Sequence, residues 1–441
     1  MRLIIALLAV TFAATAQVRA QSFGCGRDLK IDDKLRKQFL DFHNQKRMNV
    51  AKGAEGKFKS AKNMYKLSWS CELEFKAQKH IQSCPGKING LGSTGANNMI
   101  WSITGGTFTQ SKVKELVDKT LVEWWKNAQH YGLGPDNTYP GGHLFNVANI
   151  INAATTQVGC TYNECGNTLE ILCLYDEVAY LKGKILYDSG RPCTKSDECM
   201  TYRGSSCDAR TGLCVKPEEK PDDMKSTVCP KGRGMTDKMR NTILDLHNDF
   251  RSLVARGKAE DRLVNNGKGF APQGASMLRM EYNCDLEKTA ADYAARCIYA
   301  HSQPYERDNA GENLYTVSID NADKNKAGEW ATRGWFSELK EFGVGKDNLL
   351  SQWLWDRPKR QNNPEIKIGH YTQMVWGTTS KIGCGIQNCP GVQTLVVCHY
   401  KDAGNVLTNP PRQIYEVGQV CSHCPNGYSC DKDMLCAKRT R

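Results

Sequence analysis

The sequence predicts an α+β protein made of two tandem copies of one domain, each followed by a small cysteine-rich knot. Three observations carry this. A set of motifs occurs twice in the same order. In each copy apolar residues recur at helical spacing early and form β-rich runs late. Twenty cysteines split ten and ten between the copies.

The repeats are specific. "LDFHNQKR" at 40–47 answers "LDLHNDFR" at 244–251, and "KLSWSCELE" at 66–74 answers "RMEYNCDLE" at 279–287. "YGLGPDN" at 131–137 answers "FGVGKDN" at 342–348. "TTQVGC" at 155–160 answers "TTSKIGC" at 378–384. The offset grows from 204 to 224 along the chain, so insertions sit in the second copy.

The elements follow in chain order. Residues 1–20 read as a secretory signal: Arg2, then "LIIALLAVTFAATA", then a small-residue site ending at Ala20. The first domain is expected over 21–190. In its opening helix Leu35, Phe39, Phe42 and Lys46 stand at helical spacing, and "TLEILCLY" at 168–175 reads as a strand. Four closely spaced cysteines at 193, 199, 207 and 214 imply a disulfide knot over 191–214. The charged, Pro-containing "VKPEEKPDDMKSTV" at 215–228 is a linker. The second domain is expected over 229–418. Ile243, Leu246, Phe250 and Val254 repeat the helical stripe, "EKTAADYAARCIYA" at 287–300 is a second helix, and "GWFSELKEFG" at 334–343 a third. "QTLVVCHY" at 393–400 is β-rich. Cys421, Cys424, Cys430 and Cys436 form the second knot within 419–441, ahead of a basic tail.

Composition excludes some classes. Hydrophobic content of 40% and charged content of 24% are those of globular proteins. No later stretch reaches the roughly 18 apolar residues of a spanning helix, so no transmembrane segment is expected. The net charge of +12 favours acidic surfaces, yet no basic–aromatic stripe points to nucleic acid. An even cysteine number in a secreted chain points to disulfides, although Cys421 and Cys424 around His423 also suit a redox or zinc motif. No Asn-x-Ser/Thr sequon occurs.

At "GHYTQMVW", 369–376, and "LVVCHYKDAGNV", 395–406, the chain resembles the CAP superfamily of cysteine-rich secretory, antigen-5 and pathogenesis-related 1 proteins. Asp402 departs from the second signature, where a small or basic residue or Pro is usual. The tandem architecture is similar to that of double-domain activation-associated secreted proteins of parasitic nematodes. The resemblance implies an α-β-α sandwich per copy, a cysteine-rich hinge after each, and a cleft whose two histidines and two carboxylates hold a divalent metal, chemically suited to Zn²⁺. In this sequence those residues are His301, Glu312, Glu338 and His370.

Helical phase favours Glu338 over Glu341, because it falls about 60° from Trp335 and Glu341 about 120°. The first copy carries Ile88, Ala96, Asn127 and Asn146 at these places, with His80 and His143 as displaced alternatives. His43 and His247, kept in both copies, read as hydrogen-bonded core histidines.

Three functions compete. The resemblance implies a secreted, non-catalytic module acting on a host protein or receptor in immune modulation. It also raises sterol or lipid carriage. A metal-dependent hydrolase is the third, but neither an HExxH helix nor a GxSxG elbow is present, and Ser302 merely follows His301 in sequence.

Overall fold

The computed structural model describes residues 22–89, 91–103, 107–218, 225–230 and 232–439. The expected signal peptide at 1–20 lies outside these residues, as do 219–224 of the linker and the last two residues of the tail. The chain divides into two compact units, Met1–Glu218 and Glu219–Arg441.

The first unit holds helices α1 (Asp33–Ala51), α2 (Cys71–Ile81), α3 (Gln110–Lys126) and α4 (Phe145–Ile151). Its strands are β1 (Ser68–Trp69), β2 (Gly95–Ser102), β3 (Gln157–Cys165) and β4 (Thr168–Tyr175), in the order β1-β3-β4-β2. The second unit repeats them as α5 (Asp237–Ala255), α6 (Cys284–Ala294), α7 (Lys324–Glu341) and α8 (Gly369–Met374). Its strands β5 (Glu281–Tyr282), β6 (Gly311–Val317), β7 (Lys381–Cys389) and β8 (Gln393–Lys401) are ordered β6-β8-β7-β5. In both sheets the short strand runs parallel to its neighbour and the rest are antiparallel.

The longer helices begin where a short polar side chain accepts an otherwise orphaned backbone N–H. Asp32 caps α1, Ser70 caps α2, Thr236 caps α5 and Asn283 caps α6. Alternate β4 residues then face opposite layers. Leu172 and Leu174 pack on Leu73, Ala77 and Ile81 of α2. Leu169, Ile171 and Tyr175 join the larger core of α1, α3 and α4. A central strand covered on both faces needs apolar residues throughout, which accounts for "TLEILCLY" and "QTLVVCHY". Each unit is the α-β-α sandwich expected.

The shared Gly-Cys ending has a packing cause. A Cβ on Gly159 would stand 2.3 Å from the Glu74 backbone nitrogen, and one on Gly383 2.2 Å from that of Glu287. The helix can lie on the sheet only where glycine leaves room. The neighbouring cysteines bridge the central strand pair, as Cys160–Cys173 and Cys384–Cys398.

The buried face of the first helix differs from the expected apolar stripe. In α1 it comprises Arg36, Phe39, Leu40, His43, Arg47 and Val50, while Leu35, Phe42 and Lys46 are only partly buried. In α5 it likewise carries Arg240, His247 and Arg251 beside Ile243 and Val254, with Leu246 and Phe250 half-buried. The reason is that these buried polar and charged groups find hydrogen-bond partners, several from distant segments. Arg47 donates to the carbonyls of Tyr65, Ile150, Asn152, Ala153 and Thr155 at 2.5–3.2 Å. Arg36 forks onto Glu74, and Arg240 onto Glu287. His43 pairs with Phe39 O and the Tyr175 hydroxyl, and His247 with Ile243 O and the Tyr400 hydroxyl, so both are core histidines as expected.

The second helix of the second unit is shorter than the sequence suggests. α6 stops at Ala294, because Cys297 takes a left-handed φ of 58° and is bridged to Cys389. All twenty cysteines are paired within their own unit. The knots share one connectivity, first to third and second to fourth: 193–207 with 199–214, and 421–430 with 424–436. Cys421 and Cys424 are therefore structural, not a thiolate motif. No described helix is long and apolar enough to cross a membrane.

Candidate functional site

Four elements of the second unit bring the histidines and carboxylates together in two pairs. The end of α6 turns at Cys297 and delivers His301. The edge strand β6 delivers Glu312, directly opposite His399 of β8. The last turn of α7 delivers Glu338, which is 5% exposed, while Glu341 faces solvent. The first turn of α8 delivers His370.

The first pair is His301 Nδ1 to Glu312 Oε1 at 2.8 Å. The second is His370 Nδ1 to Glu338 Oε1 at 2.6 Å. Both carboxylates are otherwise spent. Glu338 Oε2 accepts the backbone N–H groups of His370 (3.0 Å) and Tyr371 (2.9 Å). Glu312 accepts Ser302 N (2.9 Å), Ser302 Oγ (2.7 Å) and His399 Nε2 (3.1 Å). Burial alone would raise the Glu312 pKa, but hydrogen bonds from His301, His399 and Ser302 outweigh it and hold the carboxyl well below its ordinary range.

A carboxylate oxygen accepts, so each imidazole donates from Nδ1, and in the neutral ring the lone pair then lies on Nε2. Among the described residues neither Nε2 has a protein hydrogen bond. The His370 ring is further fixed by stacking on Trp335, centroids 6.1 Å apart at 18°. Both histidines line a cleft of about 590 Å³ with Glu312, and Leu354, Trp355 and Ile368 supply an apolar wall.

This arrangement fits a divalent cation in one way. A carboxylate behind the far nitrogen of each imidazole is how metal-ligating histidines are commonly oriented. Imidazole nitrogens are donors that Zn²⁺ takes, and a cation held by these two would need further ligands. Among the described residues no three of the four offer ligand atoms within 4.8 Å of one another. The candidate ligands are thus His301 and His370, with Glu312 and Glu338 as orienting groups. Cysteine trios do come that close in the knots, but their sulfurs are spent in disulfides.

Ser302 is not set up as a nucleophile. It is 5% exposed, and its hydroxyl donates to Glu312 and accepts from Arg307 rather than meeting the His301 ring. His399 is the member that sequence reasoning missed. Its signal was the "CHY" of the second signature, where strand register sets it against Glu312.

The first unit has the same scaffold without these groups. Asn97 bridges Asn146 O and the Tyr175 hydroxyl, as Asn313 bridges His370 O and the Tyr400 hydroxyl. Asn146 therefore holds the place of His370. Trp124 donates to Asn98 O as Trp335 does to Leu314 O, which puts Asn127 in the place of Glu338. Ala96 pairs with Leu174 where Glu312 pairs with His399. Ile88 packs on the α2 core. His143 is exposed and stacked on Tyr131, and the His80 Nε2 is buried without a hydrogen bond.

Comparison with known proteins agrees with this duplication. The cysteine-rich secretory protein family (CAP) matches residues 40–175 and 244–400. "Ancylostoma secreted protein" of Ancylostoma caninum is 42% identical over 428 residues, covering 96% of each chain. Human cysteine-rich secretory protein 2 is 34% identical over 175 residues, 38% of this chain and 63% of that one. The crystal structure of Na-ASP-1 superposes with a TM-score of 0.72 at 42% identity, covering 94% of this chain and all of the other. The chain belongs to the CAP family, and it carries two copies of the CAP domain.

Proposed function

We propose that the protein is a secreted, non-catalytic binding protein that a parasitic nematode releases to modulate host immune responses. Its second unit binds a divalent cation, best suited to Zn²⁺, between His301 and His370, and its first unit acts as a folded surface. The observation that carries the metal reading is the pair of carboxylate-backed imidazoles with outward Nε2 atoms on one cleft. A bound cation would supply a coordination point for a donor group of a partner. Secretion is supported by the fully paired cysteines and by a relative named as a secreted protein. The buried, engaged Ser302 supports the absence of catalysis.

Calorimetric titration with zinc chloride tests the cleft. One equivalent binds to the native chain and none to His301→Ala/His370→Ala; equal binding by both defeats the reading. Casein and ester substrates remain uncleaved with zinc present. Pull-down from host serum and leukocyte membranes, repeated with the isolated variant, tests the host partner.

A second reading, sterol or lipid carriage, is favoured by the apolar wall of Leu354, Trp355 and Ile368 along the cleft. Saturable binding of labelled cholesterol that the native cleft supports and Trp355→Ala weakens would sustain it.

A further inference from the structure

The first unit carries stacked aromatic rings at positions that match two cleft-lining residues of the second. Phe145 opens α4 as Gly369 opens α8. Tyr180 lies five residues after Tyr175, as Asn405 lies five after Tyr400. In the second unit Asn405 Nδ2 donates to Gly369 O at 2.8 Å, and both residues line the cleft. In the first unit Phe145 and Tyr180 stack at the same point, centroids 5.1 Å apart at 26°.

A second stack adjoins it in the chain. Two residues before Phe145, His143 lies over Tyr131 at 4.7 Å and 12°. Phe145 is 38% exposed, and Tyr131 and Leu181 are each 43% exposed. The His143 ring nitrogens make no hydrogen bond among the described residues. Large apolar side chains left in contact with water as one group mark a binding surface more often than they mark chance exposure.

The charges beside the patch decide what it would take. Lys182 follows Leu181 and is exposed. Lys57 is also exposed and lies at the other end, where a Cβ on Gly132 would stand 3.4 Å from its carbonyl oxygen. Neither ammonium has a carboxylate partner among the described residues. Glu55, two residues before Lys57, is paired with Lys46, Glu123 with Lys126 and Glu177 with Lys184, and Asp136 on the loop after Tyr131 is an exposed acid. Aromatic anchors with unpaired cations at both ends complement an acidic chain with apolar side chains.

We propose that the patch formed by Tyr131, His143, Phe145 and Tyr180, flanked by Lys57 and Lys182, is a docking surface for an acidic protein segment carrying aromatic or aliphatic side chains. It goes beyond the metal reading and does not depend on it.

The test uses the full chain, with EDTA present so that the second cleft takes no part. Fluorescence anisotropy follows a labelled glutamate–tyrosine copolymer, with polyglutamate and a lysine–tyrosine copolymer as comparators. The native chain binds the glutamate–tyrosine copolymer more tightly than either comparator. Phe145→Gly/Tyr180→Asn, which installs the pair of the second unit, raises Kd by about tenfold, as does Lys57→Glu/Lys182→Glu. The second variant changes only exposed lysines, so it answers even if the first misfolds. His301→Ala/His370→Ala leaves this binding unchanged. Unaltered binding by the two first-unit variants overturns the proposal, as does equal binding of the lysine–tyrosine copolymer. Sedimentation showing a dimer that the same variants dissolve would assign the patch to a second copy instead, and also overturns it.

Discussion

Glu338 grips His370 at two points: Oε1 takes the ring Nδ1 proton at 2.6 Å, and Oε2 takes the backbone N–H of the same residue at 3.0 Å. One carboxylate thus fixes both the ring tautomer and the first turn of α8. Replacing it should loosen the proposed cation site without touching a proposed ligand. Glu338→Gln is expected to weaken zinc binding about 10- to 100-fold, measured by competition with a chelating dye. Zinc affinity equal to the native value would show that the pair orients nothing.

Buried histidines make the fold sensitive to acid. Burial, opposed by the hydrogen bonds that the rings donate to the Phe39 and Ile243 carbonyls, lowers His43 and His247 from 6.5 to about 4. The unfolded chain therefore binds more protons between these values, so stability rises with pH through that window. It is fully present above about pH 6.5 and is lost as pH falls toward 4. Each histidine accounts for about 3 kcal/mol. Denaturant midpoints from pH 7.5 to 4 should fall along this course, and His247→Gln should flatten the slope. A flat profile in the native chain would refute the assignment.

The close approach of helix and sheet predicts a sharp asymmetry among glycines. Gly383→Ala drives a methyl group into the α6 backbone and should destabilise the second unit by about 3 kcal/mol. Gly391 has a φ of 71° with nothing within 4 Å, so Gly391→Ala should cost about 1 kcal/mol from backbone strain alone. Thermal melting of both variants checks the order; equal losses would mean that the helix can move away.

The Arg240–Glu287 fork is buried on both sides, at 2.7 and 2.8 Å. Removing one partner strands the other charge. Arg240→Ala should therefore destabilise by about 3–5 kcal/mol, and Arg240→Ala/Glu287→Ala by less than the single change. A double-mutant cycle with no coupling would contradict this.

The duplicated scaffold was legible because its causes are local and recur in both copies. Helical spacing, caps and β-rich runs are written in neighbouring residues, so two α+β copies follow from the chain alone. The burial of Glu338 and the exposure of Glu341 were legible too, since one helix face decides them. The buried face of α1 was not. Arg36 and Arg47 look like surface residues until carbonyls and a carboxylate from distant segments surround them.

Sequence by itself determined the repeat and the cysteine-rich knots, and the resemblance it carries singled out the four candidate residues of the second unit. Only the tertiary structure decided the disulfide partners, the division of those four into outward imidazoles and spent carboxylates, and the entry of His399 behind Glu312. It also showed that Phe145 and Tyr180 stack at the first-unit positions matching Gly369 and Asn405. The physical reason is common to all of these: hydrogen-bond direction and ring stacking depend on atoms that the chain brings together from far apart. Spacing along the sequence records which residues are available, and not which of their atoms remain free.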